Sequence, residues 1–373
     1  MSARHVSLRL YSWDTTRYEL LSEHKVAAQA RELLAAMPGI RAAQFDPRLA
    51  PPADFAQRVK QVAADLNWAP GSAARSLAEA RTDTYGLVLA RDPHTLGMEP
   101  FYMRFLAGVE VELSRRAIGL LLQVVATPAD ELATLQRWCA ARRVDGVLLV
   151  DVQVDDPRVA WGATPDALPA VVVADPSVAG DLSCVWTDDA TSMRAAVAHL
   201  AELGHRRIAR VAGIRAYAHT RIRDSAFLAA TQQHGIEAQL LRTDYAPESG
   251  RRATRRALRS ATPPSALIYD NDVMAVAALG VAAELGLRVP DDLSIIAWDD
   301  SVLCEHTFPA LTALSHDVIA FGTHAASRLA DVIAGGSARA AHLDSTPALV
   351  VRGSTGPARQ RTRPTPKEPD EPR

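Results

Sequence analysis

Short apolar runs alternate with helical patterns from residue 85 onward. The predicted strands are 86–90, 120–125, 146–150, 170–174, 208–212, 238–241, 266–269 and 293–298. The segments between them, such as 105–116, 193–203, 225–234 and 273–285, carry apolar residues near helical spacing. Near-continuous apolar strands alternating with helices indicate parallel sheets that are covered on both faces. Four such units followed by four more predict an α/β fold of two doubly wound parallel-sheet lobes.

Glycine and proline mark where two of these helices end. Gly204 and Gly286 stand where a helix C-terminus favours left-handed backbone, and Pro290 prevents continuation before the strand at 293. Ligands of open α/β sheets bind beyond the carboxyl ends of the strands, and two facing lobes form a cleft there. We therefore expect a ligand site in the residues that directly follow the strands.

The two ends of the chain lack this alternation. The first 80 residues are helical in pattern, with an amphipathic segment at 55–68, a proline at 70 and a short helix-competent piece at 72–77. Residues 357–373 are rich in proline and arginine and nearly free of apolar side chains, so we predict a disordered tail.

Composition narrows the class of protein. Apolar residues make up 48% and charged residues 23% of the chain, and the net charge of −2 leaves only local basic surface for nucleic acid. The three isolated cysteines suggest neither disulfides nor a zinc site. Without a signal-peptide core or an 18-residue apolar run, we expect a cytoplasmic protein with no membrane segment.

Motifs for catalysis are missing from the sequence. It has no Gly-rich phosphate loop, no HExxH and no Gly-x-Ser-x-Gly. Pairs of aspartates occur at 155–156, 188–189, 291–292 and 299–300, but neighbouring side chains point apart and do not converge unaided. His205 stands beside two arginines at a helix end, where a surface position is expected. We predict a protein that is not an enzyme and that uses no metal or cofactor.

Residues 46–356 carry a series of short motifs along the chain. They include LNWAPGSAARSL at 66–77, RTDTYGLV at 81–88, PFY at 100–102, FLAGVE at 105–110, RVDGVL at 143–148, LGHRRI at 203–208, DNDVMA at 270–275, LGLRVPDDLS at 285–294, WDD at 298–300 and PALT at 309–312. In this order, the motifs make residues 46–356 resemble the LacI/GalR (lactose-repressor) family. Each motif is weak alone, whereas their order makes the match strong.

The resemblance implies a homodimeric repressor with a helix-turn-helix head, a hinge helix and a sensor shaped like a periplasmic sugar-binding protein. In that family, a leucine of the hinge helix wedges between base steps in the minor groove. Leu77 occupies the matching position here, with Ala74 and Arg75 nearby. A plain linker with one buried leucine is the alternative. The expected divisions are an N-terminal extension (1–24), a small all-α head (25–70), a hinge (71–82), a periplasmic-binding-protein-like two-lobed domain (83–356) and the tail (357–373).

The head departs from the family pattern. Its two expected helices fall at 25–30 and 37–44, but Pro38 and Gly39 disfavour the second one. Arg41 and Gln44 are candidates for contacts to bases or phosphates, and a solvated helix surface is an equal alternative. Whether this head binds DNA stays open.

Three second-lobe residues match the family's effector-binding positions. Arg223, Asn271 and Asp299 follow predicted strands and offer donors and acceptors for sugar hydroxyls or, as a second choice, a nucleobase edge. As alternatives, Arg223 is a surface ion-pair partner, and Asn271 or Asp272 caps the next helix; for Asp272 the cap is favoured.

Aromatic and acidic residues add further candidates. Phe101, Tyr102 and Trp298 stack on a sugar or only pack the edge of the cleft, and Asp175 follows a strand of the first lobe. The prediction is a ligand-responsive, DNA-binding transcriptional regulator, a repressor that senses a sugar. A transport-type sugar-binding protein without DNA-binding activity is the alternative. The resemblance implies a homodimer, formed through the sensor lobes. The tail shows no heptad repeat, so we do not expect the tetramerising helix that some members of that family carry.

Overall fold

The computed structural model describes residues 81–337 and 339–359, together with Gln57 and Gln61. The DNA-contact residues predicted in the head and hinge lie outside the described residues, as does the segment 360–373. Those predicted DNA-contact residues are Leu77, Ala74, Arg75, Arg41 and Gln44. In the part of the chain that is described, no helix combines the length and the apolar character that crossing a membrane requires.

Twelve strands and ten α-helices alternate along residues 84–350 of the described chain. The strands are β1 (Thr84–Ala90), β2 (Gly119–Val125), β3 (Gly146–Leu149), β4 (Ala170–Val173), β5 (Ser183–Thr187), β6 (Arg207–Ala212), β7 (Glu237–Arg242), β8 (Ala266–Tyr269), β9 (Ser294–Trp298), β10 (Thr312–Ser315), β11 (Ala341–Ser345) and β12 (Ala348–Val350). The helices are α1 (Pro93–Met98), α2 (Pro100–Arg115), α3 (Pro128–Ala140), α4 (Pro157–Gly162), α5 (Asp189–Glu202), α6 (Ala218–Gln233), α7 (Pro247–Leu258), α8 (Asp272–Glu284), α9 (Val302–His306) and α10 (Val318–Ile333).

These strands form two six-stranded sheets, one for each lobe. The first lobe has the order β11-β5-β4-β3-β1-β2 with every pair parallel. The second lobe has the order β12-β10-β9-β8-β6-β7, in which only β12 runs antiparallel to its neighbour. The predicted fold of two doubly wound lobes is therefore confirmed, and all eight predicted strands are present.

The first lobe contains two helices that pack unusually closely. A Cβ atom added to Gly108 of α2 would lie 1.9 Å from the carbonyl oxygen of Ile319, and one added to Gly322 of α10 would lie 2.1 Å from that of Phe105. Thr323 Oγ1 also donates a 3.0 Å hydrogen bond to the Gly108 carbonyl. Only glycine fits where α2 and α10 cross, so the two helices can pack in direct backbone contact.

The second lobe has a buried arginine within its central strand. Arg210 of β6 is fully buried and pairs with Asp224 and Asp270, each at 2.5 Å. A buried cation of this kind is tolerated because two carboxylates compensate its charge. The pairing also holds Asp270 at the carboxyl end of β8, where it faces the other lobe.

The chain passes between the lobes three times, after β5, after β10 and after β11. The lobes also touch directly, since the Ala218 amide donates a 2.8 Å hydrogen bond to the Val152 carbonyl. Each lobe is consequently assembled from separate stretches of sequence.

Two expectations about the second-lobe surface need revision. His205 is buried, with Nδ1 2.8 Å from Ser265 Oγ and Nε2 3.0 Å from Ser294 Oγ, so its predicted surface position is wrong. The sequence analysis missed this burial because Ser265 and Ser294, which contact His205, belong to other β-units. The predicted tail begins at 357, yet the Ala358 amide donates to the Leu203 carbonyl at 2.8 Å.

The predicted helix ends at Gly204 and Gly286 are present. Their φ angles are 84° and 69°, the left-handed conformation that terminates α5 and α8.

Candidate functional site

A cavity lies between the lobes at the carboxyl ends of the strands. Its interior volume is about 120 Å³, and it is open to solvent. Most of its charged and imidazole residues lie one or two positions after the end of a strand. These are Arg91 after β1, Asp151 after β3, Asp175 after β4, Asp189 after β5, Asp270 after β8, Asp299 after β9 and His316 after β10.

The first-lobe wall is organised around Arg91. Its guanidinium donates to both carboxylate oxygens of Asp151, from Nε at 2.9 Å and from Nη2 at 3.1 Å, and the Tyr102 hydroxyl donates to the same carboxylate. Burial alone would raise the pKa of Asp151, but the charge and hydrogen bonds of Arg91 lower it to about 2. Asp151 is therefore ionised at neutral pH.

Aromatic rings from both lobes surround Arg91. The guanidinium carbon lies 5.3 Å from the ring centre of Tyr102, 5.0 Å from that of Tyr217 and 4.8 Å from that of Tyr245. Tyr217 and Tyr245 belong to the second lobe, so these cation–π contacts cross the cleft. Arg91 is thus held in place by both lobes.

Glu99 links the same cluster to the second lobe. Its Oε1 accepts a 2.9 Å hydrogen bond from Asn271 Nδ2, while its Oε2 lies 3.8 Å from Arg91 Nη1. Burial raises the pKa of Glu99 to about 7, although Arg91 and the Asn271 hydrogen bond oppose the increase. The carboxyl group is therefore close to half protonated at neutral pH.

Asn271 is also the N-cap of α8. Its Oδ1 accepts from the Met274 amide at 2.9 Å, and its Nδ2 donates additionally to the Tyr245 carbonyl at 3.1 Å. The favoured cap, Asp272, is instead the first residue of the helix, so that assignment is wrong by one position. The helix begins one residue earlier than the sequence pattern placed it.

The second-lobe wall is organised around Arg223. Nε donates to Asp189 Oδ2 at 2.7 Å, Nη1 lies 3.6 Å from Asp270 Oδ1, and the guanidinium carbon lies 3.7 Å from the ring centre of Trp298. Trp298 is 1% exposed and packs in the core of the second lobe. Its predicted place at the cavity wall is therefore wrong, because it lies behind Arg223 and supports it.

Asp299 follows β9 in a left-handed turn with φ of 63°. Burial raises its pKa to about 8; Arg223 opposes this rise, and Asp272 and Asp189 add to it. His316 Nε2 lies 4.0 Å from its carboxylate. The protonated carboxyl group can donate one hydrogen bond and accept others at neutral pH. Its neighbour Asp300 instead forms a bidentate pair with Arg352, at 2.7 and 2.9 Å.

Both histidines of the wall are neutral at pH 7. Burial, aided by Arg223, lowers the pKa of His219 to about 4, and burial also lowers the pKa of His316. His219 Nε2 lies 2.7 Å from the Tyr245 hydroxyl. The cavity's positive charge therefore comes from Arg91 and Arg223.

Apolar faces complete the cavity. Phe101 packs edge-on to Tyr102, with ring centres 5.4 Å apart. The partly buried Trp186 and the buried Phe321 also line the wall. A wall that combines aromatic faces with fixed polar groups suits a ligand with an apolar face and hydroxyl edges.

Six of the seven predicted effector residues line this cavity. They are Arg223, Asn271, Asp299, Phe101, Tyr102 and Asp175, the last of which also accepts from the Ser177 amide at 2.9 Å. The sequence analysis missed nine polar wall residues, namely Arg91, Glu99, Asp151, Thr187, Asp189, His219, Tyr245, Asp270 and His316. Applying the carboxyl-end rule to every predicted strand would have found three of them, Arg91, Asp151 and Asp270. Within the described ranges, no three metal-ligating side chains converge.

Known proteins share this architecture. A family model for a periplasmic binding protein-like domain matches residues 197–355. The HTH-type transcriptional regulator CelR of Thermobifida fusca is 32% identical over 312 residues, which cover 80% of this chain and 88% of that protein.

Two solved structures extend the comparison. A LacI family transcriptional regulator from Bifidobacterium animalis subsp. lactis is 38% identical, with a TM-score of 0.68 over 75% of this chain and all of that one. A CelR–cellobiose complex is 28% identical, with a TM-score of 0.68 over 89% of this chain and all of that one. The chain belongs to the LacI family of transcriptional regulators. Like these relatives, it is a transcriptional regulator and not an enzyme.

Proposed function

We propose that this regulator is a repressor that binds operator DNA through residues 25–82 and senses an uncharged sugar in the interlobe cleft. The main observation is the cavity wall itself, in which Arg223, Asp189 and Asp299 present fixed donors and acceptors beside the aromatic face of Trp186. The solved complex of the related CelR with cellobiose supports a sugar as the ligand.

The charge of the wall favours an uncharged ligand over an anionic one. Six carboxyl groups (Glu99, Asp151, Asp175, Asp189, Asp270 and Asp299) face two arginines. Both arginines already bind carboxylates, Arg91 at Asp151 and Arg223 at Asp189. A phosphorylated sugar would bring its negative charge close to this excess of carboxyl groups, whereas the hydroxyl groups of an uncharged sugar need no countercharge.

The DNA-binding part of the proposal rests on the family and on the sequence. Leu77 would wedge between base steps with Ala74 and Arg75 beside it, and Arg41 and Gln44 would contact DNA from the head. A regulator that acts on bacterial DNA would work in the cytoplasm. The relatives named as HTH-type regulators support this reading over a transport-type sugar-binding protein.

A second copy of the chain would cover apolar surface on the first lobe. One face of α2 exposes Met103, Ala107 and Val111 at helical spacing, with Met103 63% and Val111 60% exposed. The edge strand β2 exposes Leu122 and Val124. Helix stripes of this kind are typical of association surfaces, and a symmetric homodimer is the commonest assembly.

Calorimetry with cellobiose, maltose, lactose, glucose-6-phosphate and adenine tests the sensing role. We expect a neutral disaccharide to bind wild type, and Arg223→Ala to weaken it at least about tenfold because charge-assisted hydrogen bonds are lost. Arg221→Ala, at an exposed position on the same helix, is the matched control and should bind as wild type does. Equal binding by Arg223→Ala would remove this residue from the site.

Fluorescence anisotropy with the gene's own upstream DNA tests the repressor role. Specific binding should weaken steeply as salt is raised, and the bound disaccharide should change operator affinity by about 1–3 kcal/mol. Sugar binding without any DNA binding would favour the alternative of a sensor that lacks DNA-binding activity.

A further inference from the structure

Three buried polar atoms on residues of the cavity wall lack a hydrogen-bond partner within the described residues, namely Arg91 Nη1, Glu99 Oε2 and His316 Nδ1. The first two lie near each other, on side chains that are 6% and 7% exposed. Leaving a buried donor or acceptor unsatisfied costs about 1–3 kcal/mol, and more for charged groups. Both residues line the cleft, so a ligand group can satisfy the two atoms together.

The distance between these atoms indicates what kind of group fits. They are 3.8 Å apart, which is too long for a direct hydrogen bond but short enough for one oxygen atom to contact both. A hydroxyl group can accept from Arg91 Nη1 and donate to Glu99 Oε2 at the same time. A phosphate oxygen only accepts and would meet the Glu99 carboxylate, while an ammonium group only donates and would meet the arginine.

Both side chains are fixed before any ligand arrives. The other nitrogens of Arg91 hold Asp151 through two hydrogen bonds, and its flat face contacts the rings of Tyr217 and Tyr245. The other oxygen of Glu99 accepts from Asn271. The pair is therefore preorganised, so binding would lose little side-chain entropy.

We propose that Arg91 and Glu99 form a subsite that recognises one hydroxyl of the effector through a paired donor and acceptor. The inference rests on the proposed function, because it concerns the same cleft. Since Asn271 and Tyr245 come from the second lobe and Arg91 and Glu99 from the first, the subsite is completed only when the lobes are together.

The test uses the full chain at pH 8, where Glu99 is mostly ionised. Calorimetry with cellobiose, maltose and lactose identifies the disaccharide that binds wild type most tightly. We expect Glu99→Gln to weaken that disaccharide at least about tenfold, because the amide no longer supplies the charged acceptor. Glu112→Gln, which removes a buried carboxylate of α2 that binds Arg115 and Arg116, should keep wild-type affinity.

Monodeoxy derivatives of the same disaccharide show whether one hydroxyl is recognised. One derivative should bind wild type more weakly and lose no further affinity in Glu99→Gln, which is the signature of a direct pair in a double-mutant cycle. Wild-type affinity in Glu99→Gln, as expected if only water occupies the gap, would overturn the subsite alone. If wild type binds none of the three disaccharides, both the proposed function and the subsite are overturned.

Discussion

Replacing Asp299 with asparagine should stabilise the protein and weaken effector binding together. Burial raises the pKa of Asp299 to about 8, compared with an ordinary value of 3.8. A carboxyl group with a raised pKa binds its proton more tightly in the folded state, so it destabilises folding increasingly from pH 3.8 up to pH 8. At about 1.4 kcal/mol per pH unit, this amounts to about 4 kcal/mol at pH 7.

Asparagine removes this penalty without a large change of shape. It is neutral at every pH, nearly isosteric, and tolerates the left-handed φ of 63°. Because the Asp299 side chain is still 16% exposed, solvent reduces the effect, and we expect a gain of about 2–4 kcal/mol at pH 7. Urea unfolding at pH 5, 7 and 8.5 should show a gain that increases with pH.

The same substitution should weaken disaccharide binding at least about tenfold at pH 8.5, because there the ionised carboxylate offers two acceptor oxygens and the amide offers only one. Asp300→Asn is the control: it breaks the bidentate pair with Arg352, so stability should fall while affinity stays. A loss of stability in Asp299→Asn at pH 8.5, or unchanged effector affinity, would refute the reasoning.

Two further predictions concern DNA and assembly. Leu77→Ala should weaken operator binding by about 1–3 kcal/mol and leave effector affinity unchanged, as measured by anisotropy and calorimetry; full operator affinity would show that Leu77 is no wedge. Met103→Lys, on the exposed face of α2, should shift a wild-type dimer toward monomer in sedimentation equilibrium at micromolar concentration, whereas Gln232→Lys on α6 should not. A wild-type monomer or tetramer would contradict the dimer.

Apolar strands were predictable because parallel sheets bury both faces, as in the fully buried β3 and β8. Four strands were not predicted from this pattern. β5 mixes polar and apolar residues, β10 reads TALS with a polar residue at each end, and β12 has only three residues. β11 reads AHLDS and is an exposed edge strand, so no hydrophobic period marks it.

The candidate site was predictable where a motif or a strand end marked it, as for Arg223 and Asp299. Arg91 and Glu99 were missed because a lone charge after a strand or between helices has the pattern of solvated surface. They are buried only because Tyr217, Tyr245 and Asn271 approach from the other lobe, over 120 residues away in the sequence. Local patterns carry no information about such contacts.

The division of each lobe among separate stretches of sequence has a consequence for biosynthesis. The first lobe needs α10 and β11, residues 318–345, which leave the ribosome only after the second lobe's strands β6 to β10. Until then the faces that receive Gly322 and the neighbouring α10 residues, including the α2 groove at Gly108, stay uncovered. We therefore expect the nascent first lobe to bind chaperones until α10 is synthesised. Nonsense mutations as late as codon 317 should yield an insoluble product rather than a partly active sensor.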